Sequence, residues 1–257
     1  MISTPIDMTH VYILAHFDDE LGVLPLMMAR QKQGCAQKFI YIATYQDEVF
    51  EVRKRETETM LCAHGWAKED VFTLNTKVMD GDLYKSPLEI YAELAKLMET
   101  LGPVEGLTTT AWEGGHHDHD VCATLTVCLG RALGVETQQF SLYNGKNLPW
   151  RLFRGAWPLE EGGPRRTVKL GLQDWLRVLS AVRFYPSQWR TWVGLWPAMV
   201  AGFLCRGFTY QDLDLKQLMQ RPHSGALLYE RMFQVDYGAL RPAIDRLLQA
   251  TPGSSTQ

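Results

Sequence analysis

Val11-Tyr12-Ile13-Leu14-Ala15-His16-Phe17-Asp18-Asp19-Glu20 carries an unbroken apolar run into a cluster of charged side chains, and from there into a helix. The apolar run predicts a strand over 11–16 that is covered on both faces, as parallel strands are. Helical spacing continues from Asp19 to about 33, where Gly34 closes the segment. A strand that turns directly into a helix aims the side chains of the turn at the carboxyl edge of the sheet, where α/β proteins build their sites. A second stretch repeats the arrangement: residues 104–110 read as a strand, followed by Gly114-Gly115, His116-His117-Asp118-His119 and a helix over 121–133 capped by Gly134.

Between these stretches, strands are predicted at 39–44 and 71–74, with a helix over 48–64 that ends at Gly65. Ser86-Pro87-Leu88-Glu89 reads as a capping box with proline at the first helical position. Leu94, Leu97, Met98 and Leu101 then repeat at helical spacing until Gly102-Pro103, and Phe140-Ser141-Leu142-Tyr143 reads as a further strand. The alternation predicts an α/β, doubly wound fold, with a mostly parallel sheet and helices on both faces.

With 257 residues, 46% of them hydrophobic and 21% charged, the chain can bury a full core in one domain. We expect a single domain over 1–250 with its core at 9–188, a C-terminal extension over 190–250 and a disordered tail at 251–257. A net charge of -3 and a pI near 6.2 provide no basic field for a phosphate backbone, which excludes nucleic acid as the expected partner. The five cysteines form no C-x-x-C pair, so buried, reduced thiols are expected rather than a disulfide framework. Met1 to Asp7 lack the basic residues and apolar stretch of a secretory signal, which predicts a cytoplasmic location.

Residues 147–169, with prolines, paired glycines and the basic residues Arg151, Arg154, Arg165, Arg166 and Lys169, read as a long loop of the kind that forms a lid. The stretch from Thr191 to Cys205 is strongly apolar but short of the roughly 20 residues that span a bilayer. It reads as a core helix broken at Pro197, with an interfacial patch that rests on a membrane as the alternative.

The two charged clusters have the composition of a metal site. A catalytic zinc ion takes three protein ligands and keeps a fourth position for water, and His16, Asp19 and His119 fit that count. Asp18, adjacent to Asp19 but pointing elsewhere, is a spare carboxylate able to take a proton from water attacking a carbonyl. His116 is placed to assist the oxygen on which negative charge develops, and Asp118 to orient a histidine through its second nitrogen. Each residue also has a plainer reading. Asp18, Asp19 and Asp118 sit where helices begin and could be N-caps, and Glu20 suits a first turn. Three of the seven histidines within four residues, beside glycines at a strand end, weigh toward a metal.

Ala15-His16-Phe17-Asp18-Asp19-Glu20 resembles the Ala-His-Pro-Asp-Asp-Glu motif of the PIG-L/LmbE-like family of zinc-dependent de-N-acetylases. His116-His117-Asp118-His119 resembles that family's His-Pro-Asp-His, with Phe17 and His117 at the two proline positions. Arg53-Lys54-Arg55-Glu56 and Tyr185-Pro186-Ser187-Gln188 are similar to two further family segments, so the likeness covers about 9–188. The resemblance implies a Rossmann-like LmbE fold, zinc held by His16, Asp19 and His119, Asp18 as general base, His116 assisting the oxyanion or leaving group, and Arg53 near the substrate. Phe17 and His117 would then reshape the pocket.

The expected activity is removal of an N-acetyl group from an amino sugar, free or lipid-linked, with Zn2+ or another divalent transition metal. Trp112, Trp150 and Trp157 are candidates to stack on a sugar, and the basic residues of 151–169 to grip a phosphate. The alternatives are a hydrolase of another amide and a metal-containing glycan-binding protein that turns nothing over.

Overall fold

The computed structural model describes residues 8–251. The expected tail at 251–257 lies outside them except for Thr251, which is buried with its hydroxyl on the Leu247 carbonyl. The reading of Met1 to Asp7 lies outside them as well.

The first half alternates as predicted: β1 (Thr9–Leu14), α1 (Glu20–Lys32), β2 (Ala36–Tyr41), α2 (Asp47–Ala63), β3 (Val71–Thr73), α3 (Pro87–Met98), β4 (Val104–Thr110), α4 (His117–Leu133) and β5 (Glu136–Phe140). The second half comprises β6 (Tyr143–Asn144), β7 (Arg154–Gly155), β8 (Arg165–Val168), α5 (Leu172–Ser180), α6 (Trp189–Arg206), β9 (Phe208–Asp212), α7 (Leu215–Leu218), α8 (Leu228–Met232) and α9 (Tyr237–Ala250). Among the described residues, seven strands form one sheet in the order β3-β2-β1-β4-β5-β9-β8. The first five run parallel, and β9 lies antiparallel to both β5 and β8.

Side chains alternate across a strand, so each face of the sheet carries its own core. Val11 and Ile13 pack with Ile40, Leu107 and the buried residues of α3, α4 and α9, while Tyr12 and Leu14 pack with Phe39, Tyr41 and the buried residues of α1, α5 and α6. The sheet is therefore doubly wound, in agreement with the sequence. The strand order reverses between β1 and β4, and the crevice at such a reversal is where folds of this type bind ligands. Both charged clusters follow these two strands.

Several elements differ from their predictions for local reasons. The strand expected at 140–143 lies at 136–140, because Gln138 and Gln139 are buried with their amides bonded: Gln138 Oε1 accepts from Arg30 at 2.5 Å and Gln139 Oε1 from the Trp112 backbone N–H at 2.9 Å. Burial satisfied in this way leaves no apolar pattern to read. The stretch 147–169 is not simply a loop, since β8 forms the edge of the sheet, where the one-sided pairing suits charged Arg165 and Arg166. Ser86 makes no capping bond; its ψ of 47° departs from the extended geometry a capping side chain uses. The thiols expected to be buried are so at Cys122 and Cys128 but not at Cys62 and Cys205, which lie exposed.

α6 runs unbroken through Pro197. The carbonyl deprived of its partner belongs to Val193, whose residue is 68% exposed, so solvent can satisfy it. Trp192, Leu195, Met199 and Phe203 form the buried stripe, and Trp189, Val193 and Leu204 lie outside. Among the described residues no helix is long and apolar enough to cross a membrane.

Candidate metal centre and catalytic cleft

β1 delivers His16, Asp18 and Asp19 in a tight turn. Asp18 has a φ of 103°, a region that a non-glycine residue occupies only when its surroundings enforce it. Its N–H donates to Glu20 Oε2 at 2.9 Å, and its carbonyl accepts from Leu21 N–H at 3.0 Å. Glu20 also accepts the Tyr185 hydroxyl, and burial pushes its carboxyl up to about 7 against that bond. Asp19 occupies the N-cap position without capping: Oδ2 accepts from the His16 N–H at 2.9 Å and Oδ1 lies 3.1 Å from His119 Nε2. The plain N-cap reading of Asp19 is therefore not what the structure shows.

α4 starts four residues earlier than predicted, which sets His116 at its N-cap and His117, Asp118 and His119 in its first turn. One donor atom from each of His16, Asp19 and His119 falls within 4.8 Å of the others, and all three residues are buried. His16 Nδ1 is 3.2 Å from His119 Nε2 and 3.7 Å from Asp19 Oδ2. A tetrahedral ion with bonds of about 2.0–2.1 Å sets its ligand atoms roughly 3.3 Å apart, so this nitrogen-nitrogen-oxygen set fits a divalent transition metal in spacing as well as chemistry.

The other nitrogen of His16 lies 3.2 Å from Asp118 Oδ2 and 3.1 Å from Asp80 Oδ1. Burial opposes the imidazolium of His16, yet the carboxylates around it, led by Asp80, hold it well above the usual histidine range. Asp118 also accepts from Gly81 N–H at 2.6 Å and Leu83 N–H at 3.2 Å, which fixes the loop carrying Asp80. The N-cap reading of Asp118 fails for the same reason. His116 Nδ1 accepts from Asp118 N–H at 3.1 Å, so in the neutral ring Nε2 bears the hydrogen. Burial, followed by the neighbouring His16, keeps His116 far below the usual range and hence neutral. Asp18 is shifted the opposite way, well above the usual carboxylate range, by burial and then by Asp19 and Glu20.

These groups open onto a cleft of about 190 Å³ that also includes Arg53, Asp80, Leu142, Tyr143, Gln188, Trp192, Leu195 and Phe233. Arg53 sits 4.4 Å over the Tyr45 ring with Nη1 3.7 Å from Asp80 Oδ2. Glu113 is buried beside the centre, accepting from Leu142 N–H at 2.8 Å and Tyr143 N–H at 2.9 Å, so it holds the loop that brings those two residues to the cleft.

Not every predicted site residue reaches the cleft. His117 turns away: its Nε2 donates to the Gly81 carbonyl at 2.8 Å and its ring stacks on His116 at 4.5 Å. Phe17 packs in the core against Tyr41 at 4.8 Å. Trp112 is buried with Nε1 donating to the Gln220 carbonyl at 3.2 Å. Trp150 stands 84% exposed, and Arg206 covers the Trp157 ring at 3.7 Å. None of these three tryptophans is a wall of the cleft, nor is any residue of the expected lid at 147–169. Trp192 is the tryptophan found there.

Asp80 was not foreseen. Its signal was an Asp-Gly pair, which suits any loop; what draws it inward is its own N–H on the Thr44 carbonyl at 3.0 Å and the Asp118 carboxylate bonded to the N–H groups of Gly81 and Leu83. Phe233 and Leu195 were hidden because the extension matches no motif.

Fold and site together define an α/β protein with a buried His-Asp-His group, able to hold a metal, at the switch point of its sheet. Residues 11–129 match the family described as PIG-L: GlcNAc-PI de-N-acetylase. No curated protein matches the chain. Among solved structures, a deacetylase of the teicoplanin biosynthesis pathway is similar with a TM-score of 0.59 at 14% identity, over 79% of this chain and 97% of that one. The N,N'-diacetylchitobiose deacetylase from Pyrococcus horikoshii is similar with a TM-score of 0.54 at 16% identity, over 79% and 83%. GalB, the 4-carboxy-2-hydroxymuconate hydratase from Pseudomonas putida, has a TM-score of 0.50 at 13% identity, over 81% and 96%. At these identities the likeness is one of fold, and the hydratase illustrates that fold does not fix the reaction.

Proposed function

We propose that this protein is a metal-dependent amide hydrolase that removes the N-acyl group, acetyl in the simplest case, from an amino sugar or sugar conjugate. The observation that carries this reading is Asp18: a carboxylate that bonds to no member of the His-Asp-His group, held in a strained turn and facing the cleft beside that group. A structural or merely binding metal site has no use for such a residue, which disfavours the non-catalytic alternative.

His16, Asp19 and His119 would hold the metal, zinc being the ion best suited to their mixed imidazole and carboxylate donors. Once bound there, it would acidify water and polarise the amide carbonyl. Asp18 accepts the proton of the attacking water and returns it to the leaving nitrogen. The Nε2–H of neutral His116 donates to the carbonyl oxygen as its charge grows. Asp118 keeps His16 oriented through its Nε2. Arg53 and Asp80 offer a donor and an acceptor to sugar hydroxyls.

The test is acetate release from a panel of N-acetylated amino sugars and nucleotide sugars, comparing wild type with Asp18→Asn at equal metal content. The reading predicts turnover in wild type and a roughly 10²- to 10⁴-fold loss in the variant. Equal rates in the two proteins would refute it.

A further inference from the structure

The interior of the cleft is chemically divided. Asp18, Arg53 and Asp80 are among its charged walls and Leu142, Leu195 and Phe233 among its apolar ones, and of these six only Leu195 and Phe233 also wall a second, neighbouring space. That space is an annex of about 370 Å³, nearly twice the 190 Å³ of the cleft itself, and Tyr143, Thr191, Leu195 and Phe233 are walls of both. Phe153, Gly194 and Met232 complete the annex, with exposed Arg190 at its edge. Gly194 faces open space, since a Cβ added there would meet no atom within 4 Å. All of these walls lie outside the segment 11–129 that matches the family. An acetyl methyl is too small to fill such a space.

We infer that the annex receives an apolar acyl chain longer than acetyl, so that the preferred substrates are amino sugars N-acylated with a medium-length chain. This rests on the hydrolase reading above. The chain's direction follows from which walls the two spaces share: Leu195 and Phe233 belong to both, whereas Asp18, Arg53 and Asp80 belong to the cleft alone. Sugar hydroxyls need hydrogen-bonding partners, which Arg53 and Asp80 supply, and this leaves the other substituent of the amide carbonyl facing Leu195, Phe233 and the annex. In the reaction the C–N bond breaks, the oxygen of water goes to the acyl carbon, and the products are a fatty carboxylate and a protonated sugar amine.

The experiment measures binding by calorimetry, with and without added zinc, together with turnover. Its probes are glucosamine N-acylated with acetyl, butanoyl or octanoyl and the octyl glycoside of N-acetylglucosamine. Each methylene that enters the annex should tighten binding by up to about four-fold. Octanoyl should therefore bind at least ten-fold more tightly than acetyl. Gly194→Phe, which projects a ring into the void, should lower the octanoyl-to-acetyl ratio at least ten-fold, with Gly194→Leu as the milder variant if the first folds poorly. Equal binding of acetyl and octanoyl compounds, or a preference that follows the octyl glycoside instead, would overturn the inference. Chain-length-dependent binding without hydrolysis would sink the hydrolase reading and leave the annex assignment standing. Hydrolysis with no dependence on chain length would do the reverse.

Discussion

At the scale of single residues, the proposed site separates holding from reacting. Asp19 and Asp118 are committed by their hydrogen bonds, one to His16 N–H and His119, the other to His16 and the loop at Gly81, whereas Asp18 keeps its carboxylate for the cleft. Asp118→Asn should weaken metal affinity roughly 10- to 100-fold, as loss of an orienting carboxylate usually does, and competition with a chromogenic chelator measures this. Unchanged affinity would mean that Asp118 serves only the loop. The metal-capable trio and Asp18 were legible in the sequence because they sit beside one another at strand ends. Asp80 was not, because no spacing in the chain reveals that Asp118 bonds to the backbone of Gly81 and Leu83.

At the scale of elements, strands and helices with an apolar period were readable, and those stabilised by polar contacts were not. β5 is the clearest case, its buried glutamines replacing the apolar residues that would have announced it. α6 depends on close approach: a Cβ at Gly202 would lie 2.3 Å from the Gly155 carbonyl, so only glycine lets the helix seat on β7. Gly202→Ala should therefore destabilise the protein by about 1–3 kcal/mol, seen as a lower midpoint in denaturant unfolding. Because α6 also carries Thr191, Trp192 and Leu195 to the cleft, turnover should fall with it. An unaltered midpoint would show that the helix seats differently.

At the scale of the whole molecule, the doubly wound sheet followed from the alternation of the first half, but the role of the second half did not. The extension inserts β9 between β5 and β8 and covers α3 and α4 with Leu240, Ile244 and Leu247 of α9, all fully buried. A chain ending at residue 188 should consequently lose its cooperative thermal transition; retention of a sharp transition would make the extension a separate unit. Stability should also depend on pH through His10, whose Nε2 lies 2.8 Å from the Thr108 hydroxyl and which burial, helped by Arg30, pushes down to about 2. The unfolded chain binds that proton below its ordinary value near 6.5 and the folded one does not. The contribution is thus complete above about 6.5 and declines toward acid pH, at up to roughly 1.4 kcal/mol per unit. His10→Asn should unfold with a shallower acid dependence than wild type, and identical slopes would assign the burial elsewhere.

The central claim is that His16, Asp19 and His119 form a metal centre. It is tested most directly by anomalous diffraction at the zinc absorption edge from crystals grown with equimolar zinc. A single strong peak bound by His16, Asp19 and His119, with Asp18 outside the coordination sphere, is the predicted result. A peak at other residues, or Asp18 bound in place of Asp19, would contradict the account.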